Sequence, residues 1–179
     1  MNKDKIKIAL KTLKLLENIS WKNIQIEDIL EKKNKNIFKN KKEFLININL
    51  YFDYLLKKNV SNLEKSSTKD MLFEVLMARF DILNLHRKSV KGLIKYFLAN
   101  PQEFISLLPS FVESIILISS LADINVNGIK GAAKIKIIFL LYVLTIFVWN
   151  NDDSPSLEKT MTSLDKYLNQ IDKFVKLIK

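Results

Sequence analysis

Cysteine is absent from this 179-residue chain, and histidine occurs once. Neither a disulfide framework nor a thiolate metal site can form, and a zinc site or a nucleophilic triad lacks its parts. Glycine and proline number three each, too few for a turn-rich β fold. Long helices are what such a composition favours. The longest apolar run, Ile137–Trp149, has 13 residues, whereas a spanning helix needs about 20. It reads as a helix buried on nearly all sides, and no transmembrane segment is expected. The charged, amphipathic N-terminus has no continuous apolar core of the kind a signal peptide carries. Together these absences point to a cytoplasmic, non-enzymatic, all-α chain with no cofactor.

What the chain does have is apolar content and positive charge. Nearly half of it, 48%, is hydrophobic, and the net charge is +10. Residues 1–70 carry 16 Lys against 9 Asp/Glu, and residues 71–179 carry 13 Lys/Arg against 10. A basic N-terminal third is what a polyanion-binding module shows. The joint richness in Lys, Ile and Asn is equally what an AT-rich coding bias produces, so both explanations stand.

Periodicity predicts the helices. The first runs from about Lys3 to Asn18, with Ile6, Leu10, Leu13 and Leu16 on one face. The second covers about Ile24 to Lys33. "NKNIFKN" follows, where Ile37 and Phe38 alone can reach a core. A further helix starts near Lys41 with the stripe Phe44, Leu45, Ile48, Tyr51, Phe52, Leu55 and Leu56. Ser67 or Thr68 caps the next, which carries Leu72, Val75, Leu76, Phe80 and Leu83. A short helix spans Arg87 to Ala99. Asn100–Pro101–Gln102–Glu103 reads as a helix start, and Pro109 should kink that helix. An apolar helix runs from about Ile129 to Trp149. Ser154 caps the last, with Pro155 in its first position. There Leu157, Met161, Leu164, Leu168, Ile171 and Val175 alternate spacings of four and three, the seam of a helix packed on another helix.

Three small helices before a larger helical body resemble the TetR family of regulators. The residues that carry the resemblance are "ALKTLKLLENISWKNIQIEDIL" (Ala9–Leu30) and "NKKEFLININLYFDYLL" (Asn40–Leu56), with Lys42 and Glu43 matching a Lys-Glu pair before an apolar run. "KDMLFEVLMARFDIL", "HRKSVKGL" and "VWNNDDSPSLEKTMTSLDKYL" are similar to the ubiquinone-biosynthesis accessory proteins, which are TetR-like in fold and bind lipid instead of DNA. The resemblance implies a helix-turn-helix-like module at 1–45 and a ligand-binding and dimerisation bundle at 46–179. The seam beside a helix apolar on most faces predicts a homodimer, with the last two helices of each subunit forming a four-helix interface. The departures are as specific. The family's turn glycine is Ser20 here, and its Thr cap is Gln25. "KNKNIFKN" is roughly five residues short of a turn and reading helix.

The candidate residues follow. Lys33, Lys35, Lys39, Lys41 and Lys42 can touch DNA phosphates, which position a protein without reading sequence. Binding would be weak or non-specific. An apolar cavity is expected between the Pro109 helix and the Ile129–Trp149 helix. Phe97, Phe104, Leu108, Phe111, Ile115, Phe139, Tyr142 and Trp149 would line it, for a small hydrophobic ligand or lipid. Aromatics at helical spacing are by default core. Leu157 through Val175 would form the dimer interface. His86 lacks a nucleophile or metal partner and reads as structural. Asp152 and Asp153 read as helix-start acids rather than a metal pair. A ligand-responsive regulator, a lipid-binding accessory protein and a helical interaction module all remain open.

Overall fold

The computed structural model describes residues 1–30, 37–64 and 66–177, with side chains followed through Ile171. The described residues form eight α-helices and no strand: α1 Lys3–Leu16, α2 Ile26–Ile29, α3 Lys41–Asn59, α4 Thr68–Leu85, α5 Arg87–Ala99, α6 Pro101–Leu121, α7 Gly128–Asn150 and α8 Glu158–Leu177. They make two compact units. The first joins Met1–Lys58 with Ile82–Ser114, and the second joins Asn59–Asp81 with Ile115–Lys179. The chain passes between the units before the last residue of α3, inside α4 and inside α6. The division expected at residue 45 falls inside α3.

In the first unit α1 is opened by Asn2, whose side chain accepts from Lys5 N at 2.9 Å. Its buried face is Ile8, Ala9, Thr12, Leu13 and Leu16. Leu10, expected on that face, is 41% exposed. The face turns this way because Thr12 can enter the core: its hydroxyl donates to Ile8 O at 2.7 Å and is satisfied there. α1 packs on α5, where Ser89 Oγ donates to Leu13 O at 2.6 Å.

α2 is a single turn rather than the helix to Lys33. Leu30 is already extended, at φ −95 and ψ 133, and Lys33 lies outside the described residues. Asp28 compensates for the poor Gln25 cap by accepting from Gln25 N at 2.7 Å. α3 starts where the periodicity puts it. Asn40 accepts from Glu43 N at 3.2 Å and Glu43 accepts from Lys39 N at 2.9 Å, so the orphan donors of the first turn find partners.

In the second unit Ser67 caps α4, accepting from Asp70 N at 3.2 Å. α6 closes with Asp123 left-handed at φ 57, while Ile124 N bonds back to Ser119 O at 2.9 Å. Gly131 lets the turn before α7 fold onto the helix: a Cβ there would lie 2.0 Å from the Val126 carbonyl.

α7 corrects the expectation of burial on nearly all sides. Ile138, Leu141, Thr145 and Trp149 are buried, but Leu140 is 58% and Phe147 46% exposed. Its neighbours within one chain cover a single side. By length and composition, α6 and α7 are both apolar enough to cross a membrane. The sequence expectation counted an uninterrupted run and missed how far each helix extends beyond it.

α8 begins at Glu158, four residues after Ser154. Ser154 still serves the helix start, because its hydroxyl accepts from Glu158 N at 2.9 Å. Pro155 lies in the turn ahead of the helix.

Candidate functional site

Positive charge is concentrated in the first unit. Its residues include 18 of the 29 Lys/Arg and 9 of the 19 Asp/Glu, a net +9 against +1 for the second unit. Of the candidate phosphate contacts, Lys33 and Lys35 lie outside the described residues. Lys39 and Lys42 are exposed at the start of α3. Lys41 is placed differently. Its ammonium sits 4.8 Å from the centre of the Trp21 ring and donates to Lys22 O at 3.2 Å. Burial lowers its pKa, with Glu103 and Asp28 pulling the other way. Lys41 therefore ties the start of α3 to the turn after α1, a cation–π link that sequence reading missed.

Leu30 and Ile37–Asn40, which flank the undescribed stretch 31–36, are non-helical. Phe38 is buried and packs on Phe44, ring centres 4.7 Å apart.

The candidate pocket residues fall into two groups. In the first unit Phe97, Phe104 and Phe111 form a column, with successive centroids 6.0 and 5.5 Å apart. These three and Leu108 are half-buried. In the second unit Ile115 and Trp149 are fully buried core, and Phe139 and Tyr142 are half-buried. Tyr142 stacks on Phe80 at 5.6 Å.

Sequence reading also missed a buried polar ladder joining α3 to α6 in the first unit. Asn49 Nδ2 donates to Ser110 O, Ser110 Oγ and Ser114 Oγ at 3.1, 3.0 and 2.8 Å. Ser114 Oγ donates on to Asp53 at 2.7 Å. Its signal was present: Asn49/Asp53 and Ser110/Ser114 are two polar pairs at spacing four, each on the inner side of an apolar helix.

The α8 seam is used inside the subunit. Leu157, Leu164 and Leu168 are 1%, 0% and 4% exposed, and α8 packs on α7. These three have no surface left for a partner. Met161 is 42% exposed and Ile171 half-buried, and the Val175 side chain lies outside the described residues. Outward-facing apolar side chains lie on α7, at Ile137, Leu140, Leu144 and Phe147, and also on α6, at Ile105, Val112 and Ile116.

His86 packs against Tyr51 and Phe52, at 6.0 and 5.8 Å. Burial lowers its pKa against the pull of Glu17, a structural placement. Asp152 is fully buried and accepts from Ser154 and from both the backbone and hydroxyl of Thr160. Among the described residues no three His, Cys, Asp or Glu cluster as metal ligands would.

No family model matches this sequence, and no curated protein matches it. The chain is similar to the solved structure of the TetR transcriptional regulator from Nitrosomonas europaea ATCC 19718. The TM-score is 0.74 at 16% identity, over 94% of this chain and 98% of that one. At that identity the likeness establishes the fold: the chain has a TetR-like all-helical fold.

Proposed function

We propose that the protein is a dimeric, DNA-binding regulator of the TetR type whose base-reading element is reduced. The observation that carries this reading is the shared fold along 94% of the chain. Charge supports it: a net +9 in the unit that holds α1, α2 and the start of α3 suits a polyanionic partner. The dimer would form through the exposed α7 stripe, since contiguous outward-facing apolar surface marks an interface. DNA would be held by phosphate contacts, Lys39 and Lys42 among them, with little discrimination between bases. Selection from a random duplex pool at physiological salt tests this. Salt-sensitive binding without an enriched motif is the expected result. Strong enrichment of one motif would restore a full base-reading regulator, and no binding to any duplex would end the DNA reading.

A second reading has its own support in the Phe97–Phe104–Phe111 column. Half-buried aromatics in a row, Phe97 on α5 and Phe104 and Phe111 on the Pro109 helix α6, suit a neutral, greasy ligand such as an acyl or isoprenoid chain. The protein would then be a lipid-binding accessory of the ubiquinone-biosynthesis type. Native mass spectrometry of the purified chain discriminates: a co-purified apolar molecule, lost in Phe111→Trp with the fold intact, favours this reading. An empty chain that no lipid of a test panel stabilises against heat removes it.

A further inference from the structure

Two lysine rows occupy packed neighbouring helices of the first unit. On α1, Lys7, Lys11 and Lys14 are spaced four and three apart and exposed. They lie on the side opposite the buried Ile8, Ala9, Thr12, Leu13 and Leu16. On α5, Lys88, Lys91 and Lys95 are spaced three and four apart, opposite the buried Ser89, Val90 and Leu93. Beyond Asp4, α1 has no acidic residue, and α5 has none. The two helices are fastened together by Ser89 on the Leu13 carbonyl at 2.6 Å and by Lys88 Nζ on Asn18 Oδ1 at 3.2 Å. Among the described residues Lys7, Lys11, Lys14 and Lys95 have no carboxylate partner.

Like charges three and four apart on a helix repel one another. A polyanion turns that repulsion into attraction. Lys7 to Lys14 spans about 10 Å of helix, roughly three phosphate steps along one DNA strand. A bilayer would ask for more. Surface helices that lie on membranes add a broad apolar face to their lysines. Here most apolar side chains of α1 and α5 are turned into the unit, and the lysine side exposes a single leucine on each helix, Leu10 and Leu98.

We infer that the outward lysines of α1 and α5 form a nucleic-acid backbone contact, separate from the start of α3, that holds duplex DNA by its phosphates. This rests on the DNA-binding reading above. The test is fluorescence anisotropy of a labelled random-sequence duplex, titrated with the full-length protein between 50 and 200 mM salt. Three proteins are compared: wild type, K7Q/K11Q/K95Q, and K130Q/K159Q/K166Q, which removes the same charge from exposed positions of the second unit. Circular dichroism checks that each is folded. Losing three phosphate contacts per subunit should lower the slope of log affinity against log salt by about 2 to 3 for each subunit that engages the duplex. The second-unit variant should keep the wild-type slope.

Equal losses in both variants would mean that net charge alone matters, and would overturn the inference. An unchanged slope in K7Q/K11Q/K95Q would overturn it while leaving the DNA reading in place through Lys39 and Lys42. Failure of the wild type to bind any duplex would end both. Binding to phosphatidylserine vesicles that K7Q/K11Q/K95Q loses, with DNA affinity unchanged, would assign the lysines to a membrane instead.

Discussion

A buried carboxylate is costly unless hydrogen bonds replace the water it loses. Asp152 meets that condition. Burial raises its pKa, but donors from Ser154 and Thr160 outweigh burial and hold the carboxyl at about 2. A folded pKa below the unfolded value of about 3.9 makes the group stabilising above pH 4. That contribution, about 2 kcal/mol, is lost as pH falls from about 4 to about 2. Asp152→Asn should therefore be less stable by about 2 kcal/mol at pH 7 and nearly equal to wild type near pH 2. Urea unfolding at the two pH values measures this, and a pH-independent difference would refute it. The sequence did show that Asp152 belongs to a helix start. It did not show that the helix begins after Leu157, which holds a left-handed φ of 54 while buried. Bulky residues rarely take that backbone, so pattern reading assigned Leu157 to the helix.

Among elements, legibility followed the local signals. α5 appears at Arg87–Ala99 and α6 at Pro101, as caps and periodicity require. The one-turn α2 was overread because Ile26, Ile29 and Leu30 have helical spacing, while nothing local marks Leu30 as extended. The ladder between α3 and α6 needed tertiary structure to be seen, since its pairs lie about sixty positions apart in sequence. Its energetics can be tested. Asn49→Ala leaves two serine hydroxyls without their donor and should cost about 1 to 3 kcal/mol. Ser114 lies in the same network, so Asn49→Ala and Ser114→Ala should be non-additive by about 1 kcal/mol in a double-mutant cycle. Strict additivity in chemical denaturation would mean that the hydrogen bonds act independently.

For the whole molecule, the proposed dimer turns on which apolar surface a second copy would cover. The sequence offered the last two helices together, with the α8 seam at the contact, because an a/d repeat says that a helix packs on another helix but not on which one. Leu164 and Leu168 are 0% and 4% exposed in a single chain, so α7 has already answered that seam. Ile137, Leu140, Leu144 and Phe147 repeat the three-four-three spacing on the outer side of α7, each between 42% and 58% exposed. A dimer through this stripe makes the two sets of substitutions behave differently. Leu140→Glu with Leu144→Glu should yield a folded monomer, since each side chain already reaches solvent. Leu164→Glu buries an unpaired charge and should unfold the chain, a loss above about 4 kcal/mol. Sedimentation velocity with circular dichroism on both variants decides it. A monomeric wild type at micromolar concentration, or a folded monomer from Leu164→Glu, would return the interface to α8 or remove it.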